Sequence, residues 1–76
     1  MTSIVYRKIP AVPHHQYVRG VVDGRLFLWH RDRAIAKRMD DRQAVQVAHV
    51  LRARSTGYGG QQGVTEPPGE YGVEQV

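Results

Sequence analysis

Apolar positions alternate with polar ones through much of the first thirty residues, then recur at helical spacing from Ala44 onward. "TSIVYRKI", residues 2–9, reads as a strand with Ile4 and Tyr6 on one side and Val5, Arg7 and Ile9 on the other. Pro10 and Pro13 end it, and "PAVPHHQ" is a connecting loop. "QYVRGVV" and "RLFLWH" are two β-rich runs separated by Asp23-Gly24, the preferred pair for a two-residue type I′ hairpin turn. A tight two-residue turn sets Val22 opposite Arg25, Gly20 opposite Phe27 and Val18 opposite Trp29. One face of this 16–30 hairpin then holds Val18, Val22, Phe27 and Trp29, and the other Tyr17, Val21, Leu26 and Leu28. The first, richer in aromatic surface, is the expected core face.

"DDRQAVQVAHVLRAR" is a helix. Asp40 is its expected N-cap with Gln43 at the reciprocal capping-box position, and Asp41 suits the positive end of the helix dipole. Ala44, Val47, Ala48 and Leu51 form the buried stripe; Arg42, Gln46, His49 and Arg54 are expected to point outward. "RAIAK" between hairpin and helix is a short helical turn or a crossing segment, with Ile35 and Met39 plugging the core edge. Residues 55–76, with six glycines and Pro67-Pro68, show no apolar period and read as a disordered tail. The expected fold is α+β: a small antiparallel sheet of two or three strands, including the 16–30 hairpin, packed against one C-terminal helix. The expected division is a basic domain at 1–54 and a Gly/Pro-rich acidic tail at 55–76.

Charge sharpens that division. All eleven Lys and Arg lie in residues 1–54 with four acids, giving +7, whereas residues 55–76 hold Glu66, Glu70 and Glu74 and no base, giving −3. A body this basic attracts polyanions or an acidic protein surface. At 76 residues there is little room for a deep substrate cavity beside a core. There are no cysteines, hence neither disulfides nor a thiolate zinc site. No apolar run is long enough to span a bilayer and the first residues lack signal-peptide character, so a cytoplasmic, membrane-free protein is the expectation.

Candidate chemistry adds little. His30-Arg31-Asp32 has the letters that open a protein-kinase catalytic loop, but Lys37 stands where that loop needs a metal-binding Asn, and no glycine-rich phosphate loop or Asp-Phe-Gly accompanies it. The tripeptide is better read as part of a basic rim. His14-His15 lacks a spaced third ligand for a metal. Neither a catalytic residue nor a cofactor is assigned, and a non-enzyme is expected.

Two binding classes remain. A protein-binding module would use Tyr17 and Leu28 as anchors on the second hairpin face, with Arg19, Arg31, Arg33, Lys37 and Arg38 steering toward an acidic partner. That face covered by a second copy would instead make a homodimer. A nucleic-acid binder would use the same basic residues with Tyr17 and Trp29 as stacking platforms. The order of a hairpin followed by "AIAKRMDDRQAVQVAHVL", over roughly residues 16–54, resembles the small β-β-α proteins of phages and other mobile elements, although Met39 stands where those proteins more often have an aromatic. The resemblance implies a small regulatory or inhibitory effector, acting on a host complex such as RNA polymerase or a defence assembly.

Overall fold

The computed structural model describes residues 1–56 and 65–76. Strands β1 (Thr2–Lys8), β2 (Gln16–Val22) and β3 (Leu26–His30) are followed by a 3-10 turn (Arg33–Ile35), a short β4 (Met39–Asp40), helix α1 (Asp41–Ser55) and β5 (Glu70–Gln75). All five strands form one antiparallel sheet with β1 at its centre. On one side β1 pairs with β5 over six positions, from Ser3↔Gln75 to Lys8↔Glu70. On its other side the two halves of β1 have different neighbours: Tyr6 and Arg7 face β2, while Thr2 and Ser3 face β4. β3 lies outside β2.

Three expectations are corrected here. The sheet has five strands rather than two or three, the helix lies mid-chain, and residues 70–75 are a strand rather than disordered tail. The part of the tail reading that falls on 57–64 lies outside the described residues. β5 belongs to the body because alternation carries Tyr71 and Val73 to the helix side, where Tyr71 is 3% exposed within the core. Its glycine leaves room for a neighbouring ring: a Cβ on Gly72 would lie 2.6 Å from the Tyr6 hydroxyl oxygen and 2.7 Å from the ring.

The hairpin turn forms as its residues dictate. Asp23 (φ 54) and Gly24 (φ 69) both adopt left-handed backbone, and Arg25 N donates to the Val22 carbonyl at 3.2 Å. The ladder beyond the turn is offset from the expected register, with Val22↔Leu26, Val21↔Phe27 and Gly20↔Leu28. A bulge between Val18 and Gly20 takes up the extra residue, Arg19, and restores Val18↔Trp29. Val21 therefore shares the Phe27 and Trp29 side, while Val22 moves to the opposite face and is exposed.

The core lies between the sheet and α1. Val5, Val18, Met39, Ala44, Ala48, Leu51 and Tyr71 form it, with Phe27, Trp29, Val47 and Val73 at its border. The expected helix stripe thus meets the expected hairpin face through Val18, Phe27 and Trp29, but not Val22, which lies on the other side of the sheet. Asp40 caps the helix by accepting from Gln43 N at 2.8 Å. Arg54 departs from expectation: it is 7% exposed, its guanidinium lies 5.5 Å from the Phe27 ring centroid, and it donates to the Arg25 carbonyl at 2.6 Å. Its long stem covers apolar surface while its head satisfies a strand-end carbonyl, which pins the hairpin to the end of α1.

The face away from the helix is covered in part by the crossing segment. The chain leaves β3 at His30, opposite Tyr17, and reappears where Lys37 N donates to the Val18 carbonyl at 2.8 Å. Between these points the 3-10 turn lies against β2, and Arg33 reaches Glu74, whose side chain alternates to the face opposite Val73. Ile4, at 2% exposure, and Tyr17, at 8%, are buried on this helix-free side.

Candidate interaction surface

The helix-free side of the hairpin presents the largest group of exposed aliphatic residues near unpaired bases. Val22, Leu26 and Leu28 lie on this face of β2 and β3 and are 40%, 45% and 42% exposed, and Ile35 on the crossing turn is 45% exposed. β3 is the last strand of its side of the sheet, so among the described residues no strand pairs with its outer edge. Neither proline nor a Lys, Arg, Asp or Glu occurs within Leu26–His30, while Arg25 precedes the strand and Arg31 follows it.

The structure distributes the sequence-predicted site residues unevenly. Leu28 is an exposed member of the apolar group. Arg19 is the exposed extra residue of the β2 bulge, and Arg31, Lys37 and Arg38 are exposed around the crossing segment. Among the described residues none of these four bases has an ion-pair partner. Arg33 does: its Nε is 2.9 Å from Glu74 Oε2, so its guanidinium ties the crossing turn to β5. Tyr17 is no exposed anchor, because it packs beside Tyr6 in the sheet with its ring edge-on to His15 at 6.3 Å. His15 in turn stacks on Tyr6 at 5.1 Å, and this aromatic row seals the helix-free face beside the hairpin.

The other expected stacking residue is also occupied. Trp29 is half-buried, with the Arg7 guanidinium carbon 4.1 Å from its ring centroid and the Tyr71 ring edge-on at 6.2 Å. Arg7 is held by Gln16 Oε1 at 2.8 Å and by Glu66 Oε2 at 3.1 Å, both Arg7 and Glu66 side chains being nearly buried. Burial, the main cause, raises the Tyr71 hydroxyl pKa above the ordinary phenol value; that hydroxyl donates to the Pro67 carbonyl. The acidic end of the chain thus pairs with Arg7 and Arg33 within the fold, while among the described residues Arg19, Arg31, Lys37 and Arg38 have no ion-pair partner.

Sequence reasoning missed Arg25, Val22, Leu26 and Ile35. Leu26 was already expected on this face beside Leu28, though not as an anchor; Val22 joined it through the ladder offset that the bulge at Arg19 takes up, which no local pattern announces. Ile35 is exposed because the crossing turn runs over the outside of the sheet instead of plugging the core; Met39, at 5% exposure, does plug it. Among the described residues no cluster of three or more His, Cys, Asp or Glu side chains could hold a metal ion, and no helix is long and apolar enough to cross a membrane. No family model, curated protein or solved structure matches the chain.

Proposed function

We propose that this chain is a small non-enzymatic regulatory or inhibitory protein that docks, through the helix-free side of its hairpin, on an acidic surface of a larger protein assembly. The observation that carries this reading is the exposure of Val22, Leu26 and Leu28 on one face of an unpaired edge hairpin, with Arg19 and Arg31 uncompensated nearby. Apolar centres with arginine at their margins have the composition of protein–protein contact surfaces. The β-β-α pattern of residues 16–54 supports a phage-type effector acting on a host complex, with RNA polymerase or a defence complex as the kind of target. Stacking on single-stranded nucleic acid is the less supported reading, since Tyr17 is buried and Trp29 is covered by Arg7.

The test is capture from a host lysate split into nuclease-treated and untreated halves, using wild-type protein and an Arg19→Glu/Arg31→Glu variant of unchanged thermal stability. A defined protein retained in both halves by wild type and lost by the variant is the expected result. Retention confined to the untreated half would replace this reading with nucleic-acid binding. Equal retention by the variant would remove the arginines from it.

A further inference from the structure

Resting on the proposed docking function, we infer that the outer edge of β3 is a strand-addition site for an extended acidic peptide segment. Edge strands invite backbone pairing, and proteins blunt them with proline, inward charges, short length or a covering element. β3 has none of the side-chain devices within Leu26–His30; its bases stand just outside, at Arg25 and Arg31. Their position decides what the edge accepts.

A second copy is disfavoured. In an antiparallel pairing of two β3 strands centred on Leu28, Arg25 of each copy lies opposite Arg31 of the other, so both ends of the ladder oppose like charges. Sliding the register one way brings His30 opposite Arg25; sliding it the other way brings Leu26 opposite Arg31 and Arg25 opposite Asp32. Asp32, however, lies beyond the strand, and its carboxylate already caps the 3-10 turn by accepting from Ala34 N at 2.9 Å. A foreign strand with acids near both ends meets the opposite situation. Its carboxylates fall across from Arg25 and Arg31, six positions and roughly 20 Å apart in extended chain, and like-signed partners are rejected.

The side chains favour the same occupant. An added strand continues both faces of the sheet, so alternate residues pack beside exposed Leu26 and Leu28 on one face and half-buried Phe27 and Trp29 on the other. Small β-branched residues between the two acids suit both. The hairpin end is braced for this, since Arg54 reaches from α1 to the Arg25 carbonyl at 2.6 Å and leaves the Arg25 side chain exposed. The other lateral strand, β5, has the opposite character, with Glu70 and Glu74 on its helix-free face and its Tyr71 carbonyl accepting from Arg52 Nε at 2.9 Å.

The experiment titrates the full chain with the labelled peptide Gly-Glu-Val-Thr-Val-Thr-Val-Glu-Gly at low ionic strength, following the backbone amide resonances of the protein. Saturable shifts centred on Leu26–His30 are expected. Methylating alternate peptide nitrogens on the pairing edge should weaken binding by about tenfold or more, and exchanging the peptide glutamates for lysines should abolish it. The Arg25→Glu/Arg31→Glu variant, checked for an unchanged amide spectrum elsewhere, should prefer the lysine peptide. Shifts indifferent to N-methylation, shifts located on another surface, or no saturable shift of β3 would each overturn the inference. If lysate capture succeeds while the β3 amides ignore the peptide, docking uses the exposed face alone and the strand-addition inference fails by itself. Failure of lysate capture with peptide bound at β3 would instead reject the host-complex reading while leaving the edge site in place.

Discussion

At the scale of single residues, the carboxylate of Asp41 joins three elements. It opens α1, accepts from the Ser3 hydroxyl at the start of β1, and accepts from Gln75 Nε2 at 3.1 Å at the end of β5. The Ser3 bond first, and the Gln75 bond second, hold its carboxyl pKa below the ordinary carboxylate value. The folded state therefore favours the ionised form, and the resulting stabilisation is fully present above the unfolded-state pKa of about 4. It is lost as pH falls through the lower, folded-state pKa. Asp41→Asn should accordingly be less stable than wild type at neutral pH, with the gap closing under acid conditions. Thermal melts between neutral and strongly acidic pH measure this, and a gap independent of pH would show that the two hydrogen bonds do not depend on the charge. The placement of Asp41 at the helix start was legible from the sequence, because a carboxylate there suits the dipole. Its ties to Ser3 and Gln75 were not, since they depend on strands that local periodicity cannot bring together. Arg54 and Tyr17 were misjudged for a similar reason: the neighbours of each come from other elements, Arg25 and Phe27 for the former, Tyr6 and His15 for the latter.

At the scale of elements, β5 occupies one whole side of the central strand. Removing residues 57–76 would strip Tyr71 from the core, leave six positions of β1 without a neighbour on one side, and deprive Arg7 and Arg33 of Glu66 and Glu74. Burial of an aromatic side chain alone contributes about 2–3 kcal/mol, and domains of this size have only roughly 4–11 kcal/mol in total. The deletion should therefore abolish the cooperative melt or lower the midpoint by many degrees, as followed by circular dichroism; an unchanged midpoint would show that β5 is dispensable. The exposed Arg33–Glu74 pair accounts for little of this, being worth at most about 1 kcal/mol and less in salt. The hairpin, first strand and helix were readable because turn chemistry, alternation and a capped apolar stripe each reside in contiguous residues. β5 was hidden by composition: Gly69 and Gly72, with the adjacent prolines, look like linker residues. In the fold a Cβ on Gly69 would lie 2.5 Å from the Lys8 carbonyl oxygen, and one on Gly72 would strike the Tyr6 ring. Glycine is there to let strands and rings approach, a demand visible only once β1 is the neighbour.

At the scale of the whole molecule, pairing β1 with β5 brings the two ends of the chain together. Val76 N donates to the Thr2 carbonyl at 3.0 Å, and the Thr2 hydroxyl donates back to the Val76 carbonyl at 3.3 Å. The central strand thus acquires one of its neighbours only when almost the entire chain has been closed into a loop, which is costly in entropy and slow compared with hairpin formation. Joining residue 76 to residue 1 through a short Gly/Ser linker turns that long-range pair into a local hairpin. The chain-entropy relation for cross-links puts the upper bound of the gain at about 4.5 kcal/mol for a loop of this length, less any strain in the linker. Stopped-flow refolding tells where the gain falls. If the β1–β5 ladder is already formed in the transition state, the circular protein folds faster while its unfolding rate changes little; if the ladder zips last, unfolding slows instead. The strand order favours the second outcome. The β2–β3 hairpin and α1 are local and can bury Val18 and Leu51 against one another early, whereas the β5 contacts await closure of the chain. A circular protein with neither rate altered, for linkers of several lengths, would mean that the two chain ends are not held together in solution.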